Sequence, residues 1–461
     1  MLTLYDTLTK STKELQKTDS PVRLFVCGPT VYDYSHIGHA RTYIAFDMFV
    51  KYLRSRGYTV QYLQNITDLD DKIIERAKET GASPIQLASQ FELEYLRDMS
   101  DIGVTSVDTY ARATDYIPAI IEQIELLIEK EYAYAKPSGV YYRVSKFADY
   151  GKLSGQKQDE LREGAGHGNE GEEDKENPED FVVWKTSKEG EPAWESPWGL
   201  GRPGWHIEDT AITKSVFGSA QYEIHGGARD LIFPHHESEI ALMEAAYGAT
   251  PMVGIWMHTG FLNVDGEKMS KSLGNFVTIR DILGSYAPET LRMFFATRHY
   301  RSALDYTQEG LTEAKASQVR LLSFWKRVGD VDTDKPTGEA QTFIDAFWNN
   351  LENDFGTPQA LASLFELVSY ANKALDKELL GTQEARTILS FLEQINDIFG
   401  LVNKKDLVDE DIPDAVQELA KKREEARARE DWDEADALRK QIQQEGYEVS
   451  DSSDGTILRD T

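Results

Sequence analysis

The run VRLFV at Val22–Val26 has the apolar content of a short buried strand, and the Cys-Gly-Pro-Thr that follows cannot continue regular structure. Ile44, Met48, Phe49, Tyr52 and Leu53 then recur at the spacing of one helix face, and Gly57 ends the pattern as a C-terminal cap does. Residues 58–63 predict a second strand. Strand, helix and strand together predict a βαβ unit, whose parallel strands carry ligands at their carboxyl ends. That places residues 27–39 at the expected site.

Further along, residues 117–134 carry an amphipathic helical pattern and residues 141–144 a short apolar stretch, read together as an insertion into the main sheet. Residues 155–180 are rich in Gly, Glu, Asp, Asn and Gln with few apolar groups, the composition of a solvated, mobile loop. Beyond residue 303 the strand patterns give out. Helical periodicity over 360–375 and 385–399 predicts a bundle, and two charged helices over 415–427 and 432–445 with a last strand at 455–458 predict a separate small unit. The expected organisation is therefore a Rossmann-type α/β domain in two halves, 1–115 and 201–302. An insertion at 116–200 interrupts it, a helical bundle follows at 303–402, and a small α+β unit closes the chain at 403–461.

Composition narrows the classes of function. Among 461 residues, 50 Lys and Arg against 79 Asp and Glu leave a formal net charge of −29, which excludes histone-like and polybasic roles. A lone cysteine, Cys27, cannot form an intramolecular disulfide, and the first residues show no charged stretch followed by an apolar signal core, so the cytoplasm is the expected compartment. The longest apolar stretch, residues 117–128, is broken by Glu122, Gln123 and Glu125, and no membrane partner is expected. The acid surplus has two readings: a well solvated surface, or adaptation to molar salt, where a Debye length of about 3 Å screens self-repulsion.

The first helix opens with Tyr34-Ser35-His36-Ile37-Gly38-His39-Ala40-Arg41. Backbone N–H groups at a helix start favour anions, Gly38 allows a ligand close to the backbone, and the imidazoles of His36 and His39 can donate to phosphate oxygens. Lys268-Met269-Ser270-Lys271-Ser272 lies between the turn formers Asp265-Gly266 and Gly274-Asn275. Two lysines spaced in this way can reach the outer phosphates of ATP and stabilise charge on departing pyrophosphate.

HIGH and KMSKS, in this order, resemble the paired signatures of class I aminoacyl-tRNA synthetases. FVCGPTVYD around Cys27, NITDLDDKII from Asn65, GRPGWHIE from Gly201 and FPHHESE from Phe233 are similar to the cysteinyl branch of that family, and the likeness runs along nearly the whole chain. The resemblance implies a Rossmann-type class I catalytic domain with a connective insertion, an α-helical bundle and a small α+β C-terminal domain that reads tRNA. It implies ATP-dependent activation of L-cysteine to its adenylate and transfer to the 3′ end of tRNA(Cys), with magnesium arriving on ATP. By the same resemblance His36, His39, Lys268 and Lys271 are catalytic, and His36, Gly38, His39, Lys268, Ser270 and Lys271 bind ATP.

The resemblance further implies one zinc ion per chain, which grips the thiolate of the substrate, on Cys27, Asp209, His235 and Glu239. His235 and Glu239 lie four residues apart and on a helix share a face. Asp209 departs from the family pattern, in which a second cysteine ordinarily follows GWHIE. Three arrangements follow: zinc on these four residues, the expected one; a neighbour such as His206 or His236 taking the place of Asp209; or partial loss of the ion. Gly28, Thr30, Thr67, Trp205 and His206 match positions around the cysteine pocket, Thr67 toward the amino group, and His225 matches one near the adenylate. A cytoplasmic monomer is expected. The alternatives are a mycothiol-type cysteine ligase, whose family is shorter at the carboxyl end, and an inactive tRNA-binding paralogue.

Overall fold

The apolar run VRLFV forms strand β1 (Val22–Val26). Helix α1 (Ile37–Ser55) carries the chain back to strand β2 (Val60–Ile66), turning through Gly57 at φ +78°. Strands β3 (Thr109–Arg112), β4 (Tyr222–Ala228) and β5 (Val253–Thr259) complete a sheet in the order β5-β4-β1-β2-β3, with every neighbouring pair parallel. This is a doubly wound order, and it opens a crevice at the carboxyl ends where β1 separates the two directions of winding. The computed structural model describes residues 1–156, 174–269, 274–333, 335, 338–407, 413–429, 431–452 and 455–460.

Three further helices bring side chains to that crevice or brace those that do: α2 (Ile117–Glu129), α3 (Trp205–Phe217) and α4 (Glu237–Tyr247). The helical pattern expected to run to residue 134 ends at Glu129. Glu131 takes φ +62°, and the chain enters a four-stranded antiparallel sheet made by Ala133–Lys136, Gly139–Tyr142, Phe181–Thr186 and Gly201–Pro203. Periodicity alone did not separate the last helical turn from the first strand, because both present apolar residues to one core. In that core Ile120, Ile124 and Leu127 of α2 pack with Val140, Tyr142 and Val183 of the small sheet, Ile207 and Ala211 of α3, and Ala241 and Leu242 of α4. The insertion thus braces the two helices that later prove to carry the site.

Of the acidic segment expected over 155–180, residues 157–173 lie outside the described residues. Its end is tied down. Asp180 is buried and accepts from the Tyr134 hydroxyl (2.7 Å) and from the Val144 N–H (2.9 Å), while Glu176 pairs with Arg143 (2.9 Å).

After β5, a two-residue turn at Asp265 and Gly266, both in the left-handed region, joins Leu262–Val264 to Glu267–Lys268. The strand Leu304–Tyr306, too short to show alternation in the sequence, pairs parallel with Leu262–Val264. Helices Gln308–Gly329, Ala340–Glu352, Thr357–Asp376 and Thr382–Phe399 form the bundle.

The chain divides into two compact units, Met1–Val402 and Asn403–Thr461. The second consists of helices Asp414–Ala428 and Trp432–Gln444 and an antiparallel pair, Tyr447–Ser452 with Gly455–Asp460, around Val416, Ala420, Ile442 and Val449. Among the described residues no helix is long and apolar enough to cross a membrane.

Candidate active site

Cys27 follows β1 directly, and its N–H donates to the Gly226 carbonyl at the end of β4 (3.1 Å). Its thiol is buried at the head of the sheet. Gly28 must lack a side chain, because a Cβ there would stand 1.7 Å from the Asn65 carbonyl oxygen. The two strand ends are laced together beyond it: Thr30 and Thr67 form a parallel bridge, with the Thr67 N–H donating to the Pro29 carbonyl (3.1 Å) and the Val31 N–H to that of Thr67 (3.2 Å).

The first turn of α3 delivers Trp205, His206, Glu208 and Asp209, and the segment Ile232–His236 leading into α4 delivers His235 and His236. Glu239, one turn beyond His235, shares its face. The Cys27 sulfur lies 3.3 Å from Asp209 Oδ2 and 3.9 Å from Glu239 Oε1. His235 Nε2 lies 3.0 Å from Asp209 Oδ2 and 3.2 Å from Glu239 Oε1. Four donors held about 2.0–2.3 Å from one tetrahedral zinc ion stand about 3.3–3.8 Å apart. The four expected ligands are therefore already gathered at close to that spacing. A second set shares two of them. His236 Nε2 is 3.1 Å and His225 Nε2 3.4 Å from the same sulfur, and His225 Nε2 is 3.6 Å from Glu239 Oε2.

The electrostatics of the cluster are those of buried acids. Burial pushes the Cys27 thiol up, with Glu239 and Asp209 adding to the effect, and burial followed by Asp209 pushes the Glu239 carboxyl up. Among the described residues no lysine or arginine pairs with Cys27, Asp209 or Glu239, and Glu239 Oε2 is buried without a hydrogen-bond partner. Buried groups of this kind keep their protons unless a positive ion among them compensates the charge, and they can release those protons to bind one. The donor set, one sulfur, one imidazole and two carboxylates, is one that zinc accepts.

Each histidine of the cluster is oriented through its other nitrogen. His235 Nδ1 meets His206 Nδ1 (2.9 Å), His225 Nδ1 meets the Tyr222 hydroxyl (2.7 Å), and His236 Nδ1 meets His258 Nε2 (2.8 Å), whose Nδ1 meets the Thr7 hydroxyl (2.8 Å). Such outer partners hold imidazoles in the tautomer a metal requires. Burial holds His225 and His236 well below the usual imidazole range, so both rings are neutral. His225 thus sits fully buried beside the thiol.

Trp205 is 38% exposed and stacks on the His235 ring at 4.0 Å, so the solvent side of the cluster is the side of Asp209 and His235. The Thr67 hydroxyl donates to Glu208 Oε2 (3.0 Å). Glu208 and Asn65, which donates to Asp209 Oδ1 (2.7 Å), lie within GRPGWHIE and NITDLDDKII but were given no site role from the sequence, because their partners are distant in the chain.

His36 is the N-cap of α1, in extended conformation, and its Nδ1 accepts from the N–H groups of Gly38 (3.1 Å) and His39 (3.3 Å). The His39 Nδ1 accepts in turn from the His36 N–H (3.5 Å), and the rings stack at 3.7 Å. A side chain at Gly38 would collide with the His36 ring at 2.9 Å. Because both Nδ1 atoms accept, each neutral ring carries its proton on Nε2. Burial and the neighbouring His36 keep His39 neutral. The Ile37 N–H donates to the Val277 carbonyl and the Ile279 N–H to that of Ser35 (both 3.0 Å), so the far end of the KMSKS loop is sewn to this helix start. Lys268 is exposed at the near end of that loop, and Ser270 and Lys271 lie outside the described residues.

A family model described as tRNA synthetases class I (C) catalytic domain matches residues 13–316. One described as DALR domain matches residues 346–403, and one described as Cysteinyl-tRNA ligase anticodon binding domain matches residues 409–459. The cysteine–tRNA ligase of Thermococcus onnurineus is 45% identical over 472 residues, spanning 99% of this chain and 98% of its own. That of Pseudomonas fluorescens is 44% identical over 468 residues, spanning 100% and 99%. The fold is shared with the structure of Mycobacterium tuberculosis methionyl-tRNA synthetase in complex with methionyl-adenylate, at a TM-score of 0.61 and 16% identity over 82% of this chain and 88% of that one. The chain belongs to the cysteine–tRNA ligases, a family of class I aminoacyl-tRNA synthetases.

Proposed function

We propose that this chain activates L-cysteine with ATP and esterifies it to tRNA(Cys), recognising the substrate thiol at a zinc ion held by Cys27, Asp209, His235 and Glu239. The observation that carries this reading is the buried cluster of a thiol, an imidazole and two carboxyl groups, which among the described residues no lysine or arginine joins, with Trp205 and His206 on its solvent side. When bound, the ion supplies a soft partner for a thiolate, which the hydroxyl of serine matches poorly. The indole of Trp205 covers the His235 ring and excludes water. Thr67, with the Glu208 carboxylate behind it, receives the substrate ammonium, and Gly28 and Thr30 form the pocket wall. His225 borders the pocket from the thiol side.

In the first step a carboxylate oxygen of cysteine attacks the α-phosphorus of ATP in line, and pyrophosphate leaves with the electron pair of the broken P–O bond. His36 and His39 donate to phosphate oxygens through Nε2, Gly38 gives the nucleotide close access to the backbone, and Lys268, Ser270 and Lys271 hold the departing pyrophosphate. Magnesium accompanies ATP. In the second step a hydroxyl of the terminal ribose of tRNA attacks the carbonyl carbon, the bond from that carbon to the phosphate oxygen breaks, and AMP leaves with its electron pair and takes up the hydroxyl proton. We place this chemistry in the cytoplasm, in a monomer.

Cysteine-dependent exchange of pyrophosphate into ATP, followed by charging of total tRNA with labelled cysteine, tests the reading. Exchange with cysteine but not serine, and label on tRNA, are expected. Exchange without charged tRNA would instead favour a ligase acting on a small amine, and absence of exchange would favour a binding protein.

A further inference from the structure

We infer that Asn65 is a positioning residue that makes Asp209 a one-oxygen ligand, holding one carboxylate oxygen away from the ion so that only the other is presented. The inference rests on Asp209 being a metal ligand. The two oxygens of Asp209 have separate surroundings: Oδ1 accepts from Asn65 Nδ2 at 2.7 Å, whereas Oδ2 faces the Cys27 sulfur and His235 Nε2. The amide orientation is not arbitrary. Asn65 Oδ1 accepts the Gly28 N–H at 2.5 Å, and because a backbone N–H can only donate, the amide oxygen must lie there and its NH2 must face Asp209.

One side chain therefore ties together the two segments that bring ligands from different elements: the strand end that carries the thiol and the helix that carries the carboxylate. Asn65 and Asp209 are both buried, so no water stands ready to replace the bond. A thiolate offers a single donor atom and needs no such partner. A carboxylate offers two, and without Asn65 it can turn to chelate through both oxygens or leave Oδ1 unsatisfied in the interior.

The test measures zinc affinity by competition with a graded chelator for the full chain and for Asn65→Ala, Asp209→Ala, Asp209→Cys and Asn65→Ala/Asp209→Cys. Visible absorption of the cobalt-loaded proteins is recorded alongside. Loss of an outer-shell partner costs about 10–100-fold in metal affinity, and Asn65→Ala is expected to fall in that range with weaker cobalt bands as the carboxylate swings to two-oxygen binding. In the Asp209→Cys background the same change is expected to alter neither. If Asn65→Ala does not fold, Asn65→Ser carries the same cycle. Undiminished zinc affinity in Asp209→Ala would remove Asp209 from the ligand set, and the reading beneath the inference with it. A weakened Asp209→Ala beside an unaffected Asn65→Ala, or an equal loss from Asn65→Ala in both backgrounds, would overturn the role of Asn65 alone.

Discussion

At Asp209 a carboxylate stands where a thiolate would serve a soft ion better, since oxygen is the harder donor. Purified protein is expected to carry about one zinc per chain and to give it up to a chelator more readily than an Asp209→Cys variant. Metal analysis after dialysis of both measures this, and equal retention would place Asp209 outside the coordination shell. His36 caps α1 and, in the proposed reaction, also donates to phosphate, and a substitution can separate the two. An asparagine at an N-cap accepts from the same backbone N–H groups, so His36→Asn is expected to keep the melting temperature while losing the Nε2 donor. Pyrophosphate exchange is expected to fall by about 10²–10³, the cost of one removed donor to developing charge. Lys271→Ala is expected to behave similarly in the same assay.

Among the elements, one guanidinium joins four. Arg292, in the helix Pro288–Ala296, pairs with Asp47 of α1 (2.8 Å) and donates to the carbonyls of Ile102 (3.1 Å), Gly103 (3.0 Å) and Phe399 (2.6 Å), the last ending a bundle helix. Both charges are buried, and Lys51 also reaches Asp47 (2.8 Å). Burial by itself raises the Asp47 carboxyl, but Arg292 and Lys51 outweigh it and hold the group below its ordinary value. A depressed carboxyl contributes stability above the unfolded value of about 3.9 and loses it as pH falls through the lower folded value. Arg292→Ala is therefore expected to cost about 3 kcal/mol or more near neutrality, and the penalty is expected to shrink at acid pH once Asp47 is protonated. Urea titrations of both proteins across that range check the sign.

For the whole molecule, a net charge of −29 must coexist with a polyanionic substrate. Within the terminal unit Lys422 pairs with Glu418 (3.2 Å) and Arg429 with Glu434 (3.0 Å). Lys421, Arg439 and Lys440 are likewise interleaved with acids along the same two helices. With a net charge of −29 and basic residues interleaved with acids, tRNA affinity is expected to change by less than about tenfold over a range of salt in which a protein making 6–10 phosphate contacts loses about 10³–10⁵. Filter binding at several KCl concentrations measures the slope, and a steep one would mean that phosphate contacts dominate.

The βαβ unit, the helix opening at His36 and the turn at Asp265 and Gly266 before Lys268 were readable from local pattern, because periodicity, a glycine stop and turn-forming residues act on near neighbours in the chain. His235 and Glu239 were readable as a pair for the same reason, one helical turn apart. The sheet order, however, is what brings the end of β1, the end of β2, the start of α3 and the start of α4 to one point. Only that convergence gave Asp209 its amide partner, placed His225 and His236 around the same thiol, and left one Glu239 oxygen without a hydrogen bond among the described residues. Residue types and short-range spacing determined which chemistry was available. Contacts between residues far apart in the chain decided which oxygen, which nitrogen and which tautomer face the centre of the cluster, because those depend on distances that no local pattern encodes.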